Sequence, residues 1–215
     1  MHEDFFGSYA RAMRDAYREH APPPDLATHV ACTWTRTIAR DTIEPIIPDA
    51  CVDVIVVGGE RPHVAGPATR TIWLPLRAGT TIAGIRFRPG AARDILRTSL
   101  EDLRDAHVEL AAVTRSPAID PRDPRASLEH WARVELARSG GDGAVVHAAR
   151  VVLGRCSVDE AAGELGWGVR RLHRQVTAAC GYSPKLLHRV LRLQRAIRLA
   201  HCGTRSLAAL AAEAG

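Results

Sequence analysis

The sequence predicts an α+β protein with two unlike parts: an antiparallel β-rich N-terminal domain, built as a small barrel or sandwich with flanking helices, and an all-helical C-terminal domain. Between residues 28 and 88, short apolar stretches follow one another without helical segments between them, which is typical of antiparallel sheets. After residue 144, apolar residues recur every three to four positions, as in packed helices. The charge divides at the same place, since residues 1–144 carry a net charge of −2 and residues 145–215 one of +7. With 215 residues, of which 46% are hydrophobic, the chain can bury a core.

The N-terminal domain is assigned to residues 1–138. Its first segment, from Asp4 to about Glu19, predicts a helix because its large apolar side chains fall on one stripe, and three prolines end it at 22–24. Period-two alternation then predicts strands, most clearly where Val30, Cys32 and Trp34 share one side. The strands are predicted at about 28–38, 42–47, 51–57, 62–65, 71–76 and 80–88.

Helical spacing returns after Pro89. It predicts helices at 91–96 and, from a weak capping box at Ser99 to Asp102, at 99–103. After a proline-containing stretch at 117–124, a further helix is predicted at 127–138. The glycine-rich run 139–143 is predicted to be a flexible linker, and residues 144–215 form the second domain, whose first helix is expected at 144–153.

One stretch of the second domain, residues 162–176, predicts two short helices joined by a tight turn. Gly166 can leave the helical region of backbone space, and Ala162 lets the helices approach closely. Apolar stripes for a small shared core are supplied by Leu165, Val169, Leu172 and Val176. This is the pattern of a helix-turn-helix, whose second helix lies in the major groove of duplex DNA.

The second helix, predicted at 168–179, has an outward face able to donate to base edges and phosphate oxygens. Its polar residues are Arg170, Arg171, His173, Arg174 and Gln175. The simpler alternative is a solvated helix whose arginines only keep the chain soluble. The charge distribution favours DNA, because the basic excess of the whole chain lies in this half.

A long helix is predicted to follow, from about Pro184 to about His201, after a glycine stop at Gly181 and a serine cap at Ser183. We expect three cations on it to anchor the DNA backbone, namely Lys185, Arg189 and Arg192. Residues 206–215 repeat the spacing of residues 157–166, so a second helix-turn-helix is expected to begin there and to be cut short at its turn.

These features together resemble the DNA-binding module of the arabinose-regulator (AraC/XylS) family of bacterial transcription regulators. The resemblance rests on the run from Leu165 to Leu199, including 180–185 (CGYSPK) and 189–196 (RVLRLQRA). One departure is Gly168, which stands where a capping serine is usual. The resemblance implies a sequence-specific regulator that binds double-stranded DNA, reading the major groove with helix 168–179, and that forms a homodimer.

The N-terminal domain resembles an uncharacterised domain of regulators of that family over about residues 17–110, notably in the segments 47–55, 65–67 and 84–92. It is therefore expected to bind a small-molecule effector or to dimerise. Candidate effector-binding residues, which could converge at the mouth of a barrel, are Asp49, Asp53, His63, Arg86 and Arg88. Each also has a simpler explanation, such as turn hydrogen bonds for Asp49 and a solvated strand face for the arginines.

Other classes of protein find less support. The five cysteines are widely spaced without a Cys-x-x-Cys pair, which favours reduced thiols in the cytoplasm and no metal site. No catalytic motif, cofactor-binding motif, secretion signal or membrane span is recognisable, so we expect neither enzymatic activity, nor a cofactor, nor a membrane partner.

Two alternative interpretations stay open. The chain could be a small-molecule-binding β protein, with or without catalytic activity, whose helical tail contacts other proteins. It could also be a dimerisation partner that does not bind DNA itself and that sequesters a full-length regulator.

Overall fold

A computed structural model describes residues 17–139, 154, 156–201, 208–209 and 212. It confirms the α+β class, with an antiparallel β-rich region followed by helices. The strands are β1 (Tyr17–His20), β2 (Val30–Thr37), β3 (Thr42–Ile46), β4 (Val52–Val57), β5 (His63–Ala65), β6 (Ile72–Leu76), β7 (Thr81–Phe87) and β8 (His107–Glu109). The helices are α1 (Ala92–Leu96), α2 (Pro124–Ser139), α3 (Val158–Glu164), α4 (Val169–Cys180) and α5 (Pro184–His201), with a 3₁₀ turn at Leu110–Ala112.

Six of the strands form one antiparallel sheet in the order β1-β2-β7-β4-β5-β8, and β3 pairs with β6 in a separate two-stranded sheet. The centre of the large sheet is β7, which pairs with β2 on one side and β4 on the other. Five of its seven residues are apolar or glycine, as expected for a strand with neighbours on both edges.

One face of the large sheet carries the main core. Alternate residues of β4 and β7 point to it and pack against α1 and α2, and Phe87 meets the ring of Trp131 edge-on at 6.3 Å between centroids. The Thr33 hydroxyl donates to the buried Glu129 carboxylate at 3.0 Å, and Arg125 also binds Glu129. The buried Glu129 carboxylate therefore has two partners, as the burial of a charge requires.

The opposite face carries a smaller core around Trp34. The Trp34 indole lies directly on Gly84, so closely that a Cβ at Gly84 would be 2.4 Å from the ring. Leu76 of β6 packs on the same cluster, and Arg36 of β2 forms an ion pair with Glu44 of β3. These contacts attach the two-stranded sheet to the large one.

The C-terminal helices form a third core. Its members come from α3, α4 and α5, and Tyr182 between α4 and α5 is fully buried in it. Ala50, from the loop before β4, belongs to the same cluster and is 2% exposed. The β-rich region therefore contributes a side chain to the core of the helical region.

Three predictions about individual elements are wrong. Tyr17 to Glu19 lie in β1, paired with Arg36 to Trp34 of β2, and do not end a helix. Residues 99–103 form successive turns instead of a helix, and α2 begins at Pro124 instead of residue 127. Strand β8 was not predicted. The rest of the predicted first helix, most of the linker, the helix at 144–153 and most of the second helix-turn-helix lie outside the described residues.

Candidate nucleic-acid interface

The helix-turn-helix is built by α3, a turn and α4. Helix α3 begins with a capping box, in which the Ser157 hydroxyl accepts from the Glu160 N–H while the Glu160 carboxylate accepts from the Ser157 N–H. The turn depends on Gly166, whose φ of +62° is costly for residues with a Cβ. Ala162 is buried at the crossing, as the sequence predicts.

Helix α4 buries one face and exposes the other. Leu172 and Val176 are buried, whereas Arg170 and Arg174, on the opposite side, are exposed. Helical periodicity places these two arginines within about 40° of each other around the axis. They form the centre of the outward face and are the side chains best placed to enter a groove.

The remaining polar residues of α4 are less free than these two. The Arg171 guanidinium lies 4.8 Å from the centroid of the Trp167 ring, a cation–π distance. His173 is exposed and its Nδ1 lies 3.5 Å from the Thr177 hydroxyl, while Gln175 is only partly exposed. The ring of Trp167, a residue that was not among the predicted site residues, therefore stacks on one of the predicted DNA-binding arginines.

Helix α5 adds a second basic stripe. The Ser183 hydroxyl accepts from the Leu186 N–H and caps the helix start. Lys185, Arg189 and Arg192 are all exposed, and their spacing places them within about 60° around the helix axis. The three predicted backbone anchors therefore share one face.

The charges of α4 and α5 find no carboxylate partner among the residues that the structure describes. Residues 165–201 contain eight arginines and lysines and no aspartate or glutamate. Every ion pair between two described residues lies within 17–139. Eight of the sixteen arginines of residues 17–139 pair with carboxylates, whereas the cations of α4 and α5 have no carboxylate partner among the described residues, so they form a surface suited to a polyanion.

The predicted effector residues are only partly brought together. Asp53 and Arg86 face each other across β4 and β7, and the guanidinium binds the carboxylate through two nitrogens at 3.0 and 2.8 Å. Asp49 lies 4.0 Å from the same guanidinium and also accepts the Cys51 N–H at 2.9 Å. Burial raises the pKa of Asp53, and the Asp53 carboxylate raises the pKa of Arg86.

The other two candidates lie elsewhere. The Arg88 guanidinium donates to the Ala27 carbonyl oxygen at 2.9 Å. The His63 ring stacks on His107 at 5.1 Å, and burial lowers the pKa of His107. The cluster that the structure forms is therefore Asp49, Asp53 and Arg86, which we call the ion cluster.

Comparison with known proteins adds one finding. Residues 18–109 match a domain family described as a domain of unknown function (DUF6597), which is often found at the N-terminus of arabinose-regulator-type proteins. The match begins within β1 and runs to the end of β8, so it spans the eight strands of the described residues. Neither curated proteins nor solved structures give a match.

Two further properties concern only the described part of the chain. No helix in it has the length and hydropathy needed to cross a membrane. It also contains no group of three or more His, Cys, Asp or Glu side chains arranged to hold a metal ion.

Proposed function

We propose that this protein is a sequence-specific DNA-binding transcription regulator of the arabinose-regulator (AraC/XylS) type, without enzymatic activity, that reads the major groove with α4. The N-terminal domain would bind an effector or form the homodimer. The finding that supports this role is the match to a domain often found in such regulators.

The observation that carries the proposal is the unpaired basic surface on α4 and α5. A solvated helix of an ordinary domain mixes charges of both signs, and many of its arginines find carboxylates nearby, as half of those in residues 17–139 do. The surface of α4 and α5 lacks that neutralisation, although eight cations lie on it. Phosphate oxygens are the partners that such a surface fits best.

The geometry of α4 suits base reading. The helix has 12 residues and is about 18 Å long, and its N-terminal half carries the exposed arginines. An α helix fits the major groove, where arginine binds guanine through two hydrogen bonds. Arg170 and Arg174 are the expected base readers, whereas Arg171, already stacked on Trp167, is the expected phosphate contact.

Fluorescence anisotropy on duplex DNA tests the proposal. The 215-residue chain would be titrated onto DNA from its own promoter and onto a scrambled duplex of equal length, at 50 to 200 mM salt. We expect preference for the promoter, and Arg170→Ala with Arg174→Ala should remove it, because each arginine–guanine contact contributes about 1–3 kcal/mol of discrimination.

Arg61→Ala combined with Arg77→Ala is the matched control, since it also removes two exposed arginines but from the β-rich region. This control should keep the preference. Equal affinity of the wild-type chain for both duplexes, or no binding at 50 mM salt, would refute the proposal.

A further inference from the structure

The β-rich region and the helix-turn-helix are joined by specific hydrogen bonds. The Leu100 N–H donates to the Ala178 carbonyl at 2.9 Å, and Arg104 Nε donates to the Gly181 carbonyl at 2.6 Å. The Tyr182 hydroxyl donates to the Ala68 carbonyl at 2.7 Å. All three bonds meet the C-terminal end of α4 or the residues that follow it, so the exposed arginines of its N-terminal half stay accessible.

The loop of residues 48–51 makes further contacts with the helical region. Gln194 of α5 donates to the Pro48 carbonyl at 2.8 Å. Ala50 lies in the apolar core formed by the helices and adopts a φ of +65°, a conformation that residues with a Cβ rarely take. A strained backbone at a buried contact persists only where the surrounding structure enforces it.

The other side of the same loop is held by the ion cluster. Asp49 precedes Ala50, accepts the Cys51 N–H with one oxygen, and has its other oxygen 4.0 Å from Arg86. Arg86 is in turn fixed by its two bonds to Asp53 across the sheet. A continuous set of contacts therefore runs from the middle of the sheet through Asp49 and Ala50 to the core beneath α4.

We propose that the loop 48–51 is a positioning element that couples the ion cluster of the sheet to the helix-turn-helix, so that DNA affinity depends on how this loop is held. Asp49 is its positioning residue: it touches no part of the basic surface and acts through Ala50. The proposal rests on the proposed function, because its effect on affinity presupposes DNA binding.

Whether the loop is held in place can also be measured in the absence of DNA. If Ala50 leaves the core, the contacts around α4 loosen, and the Leu100 amide should lose its bond to Ala178. Hydrogen exchange at Leu100 therefore reports the docking of the helix-turn-helix without any DNA present. The Ile85 amide in the centre of the sheet serves as the internal reference, because β7 lies between two strands.

Three variants of the full chain separate the roles of the loop. Asp49→Ala removes the oxygen that accepts the Cys51 N–H, and we expect about tenfold faster exchange at Leu100 and about tenfold weaker DNA binding. Asp49→Asn keeps an oxygen that can accept this N–H but removes the charge that faces Arg86, so both values should lie between those of Asp49→Ala and the wild type. Ala50→Gly removes the methyl group that enters the core but relieves the positive φ, so Leu100 exchange should speed up less than in Asp49→Ala.

Asp41→Ala is the matched control. Asp41 also accepts a backbone N–H, that of Ala78, and also pairs with an arginine, but on an exposed turn of the β-rich region. It should change neither Leu100 exchange nor DNA affinity. Far-UV circular dichroism and exchange at Ile85 would show that each variant keeps its sheet.

The outcomes are distinct. Faster Leu100 exchange in Asp49→Ala without a change in DNA affinity would overturn the positioning role, and so would weaker binding in Asp41→Ala to the same extent. Unprotected Leu100 in the wild-type chain would show that the docking itself does not exist. If the wild-type chain binds no DNA, the proposed function fails, while Leu100 exchange in Asp49→Ala still decides whether the loop holds the helix-turn-helix.

Discussion

Removal of the Arg189 side chain should weaken DNA binding by the same factor on every sequence. Arg189 is exposed in the middle of the basic stripe of α5, lies on the same side as Lys185 and Arg192, and has no carboxylate partner among the described residues. A cation in this position neutralises a phosphate and releases a counterion, so it contributes affinity without sequence information.

The magnitude follows from the number of cations on the surface. Four side chains are placed to neutralise phosphates, since Arg170 and Arg174 are assigned to bases: Arg171, Lys185, Arg189 and Arg192. With about 0.9 counterions released for each, log Kd should rise with log salt with a slope of about 3.6, which is about a 150-fold loss of affinity from 50 to 200 mM. Arg189→Ala should lower this slope by about 0.9 and weaken binding about eightfold at 0.1 M salt.

Anisotropy titrations at four salt concentrations, on the promoter duplex and on a scrambled duplex, measure both quantities. Arg77→Ala is the matched control, because Arg77 has an 84% exposed side chain on the β-rich region and should leave the slope unchanged. An unchanged slope in Arg189→Ala would show that this face of α5 does not contact DNA. A loss confined to the promoter duplex would show that Arg189 reads bases, contrary to the reasoning.

Two further predictions concern stability and thiol chemistry. Gly84→Ala should destabilise the fold by about 1–3 kcal/mol in urea denaturation, because its Cβ would meet the buried Trp34 ring at 2.4 Å. Gly163→Ala in α3, where a Cβ meets nothing within 4 Å, should instead stabilise it by up to about 1 kcal/mol; equal effects of the two changes would refute the placement of the indole. Burial raises the pKa of the Cys32 thiol from 9.0 to about 11, so at pH 8 iodoacetamide should label Cys32 about a hundredfold more slowly in the native chain than in urea. Mass spectrometry of the Cys32 peptide would measure this, and equal native and unfolded rates would contradict the burial.

Local patterns in the sequence predicted most of the elements. Six of the eight described strands were predicted, because the alternation of side chains and the turn residues that mark a strand lie within a few positions of one another. The bounds of α4 and α5 follow from Gly166, Gly181 and Ser183, whose effect on the backbone is local. Strands β1 and β8 were missed because each is held by its pairing partner; Tyr17 to Glu19 have helical spacing but pair with β2.

The candidate effector residues show the limit of such patterns. The sequence places Asp53 and Arg86 on strands, but only the antiparallel register of β4 and β7 brings them opposite each other. The pairing of β5 with β8 brings His63 onto His107, and the packing of the loop before β2 gives Arg88 a backbone partner. A one-residue shift of pairing would send each of these side chains to the other face of the sheet, and a single sequence does not fix that register.

The sequence by itself determined the fold class, the helix-turn-helix and its basic outward face, because periodicity, capping and charge act over a few residues along one helix. Only the tertiary structure decided that Trp167 holds Arg171, that Asp49 joins Asp53 and Arg86, and that Ala50 enters the core beneath α4. Contacts of this second kind join residues far apart in the chain. They depend on how whole elements pack, and no local pattern of residues encodes that packing.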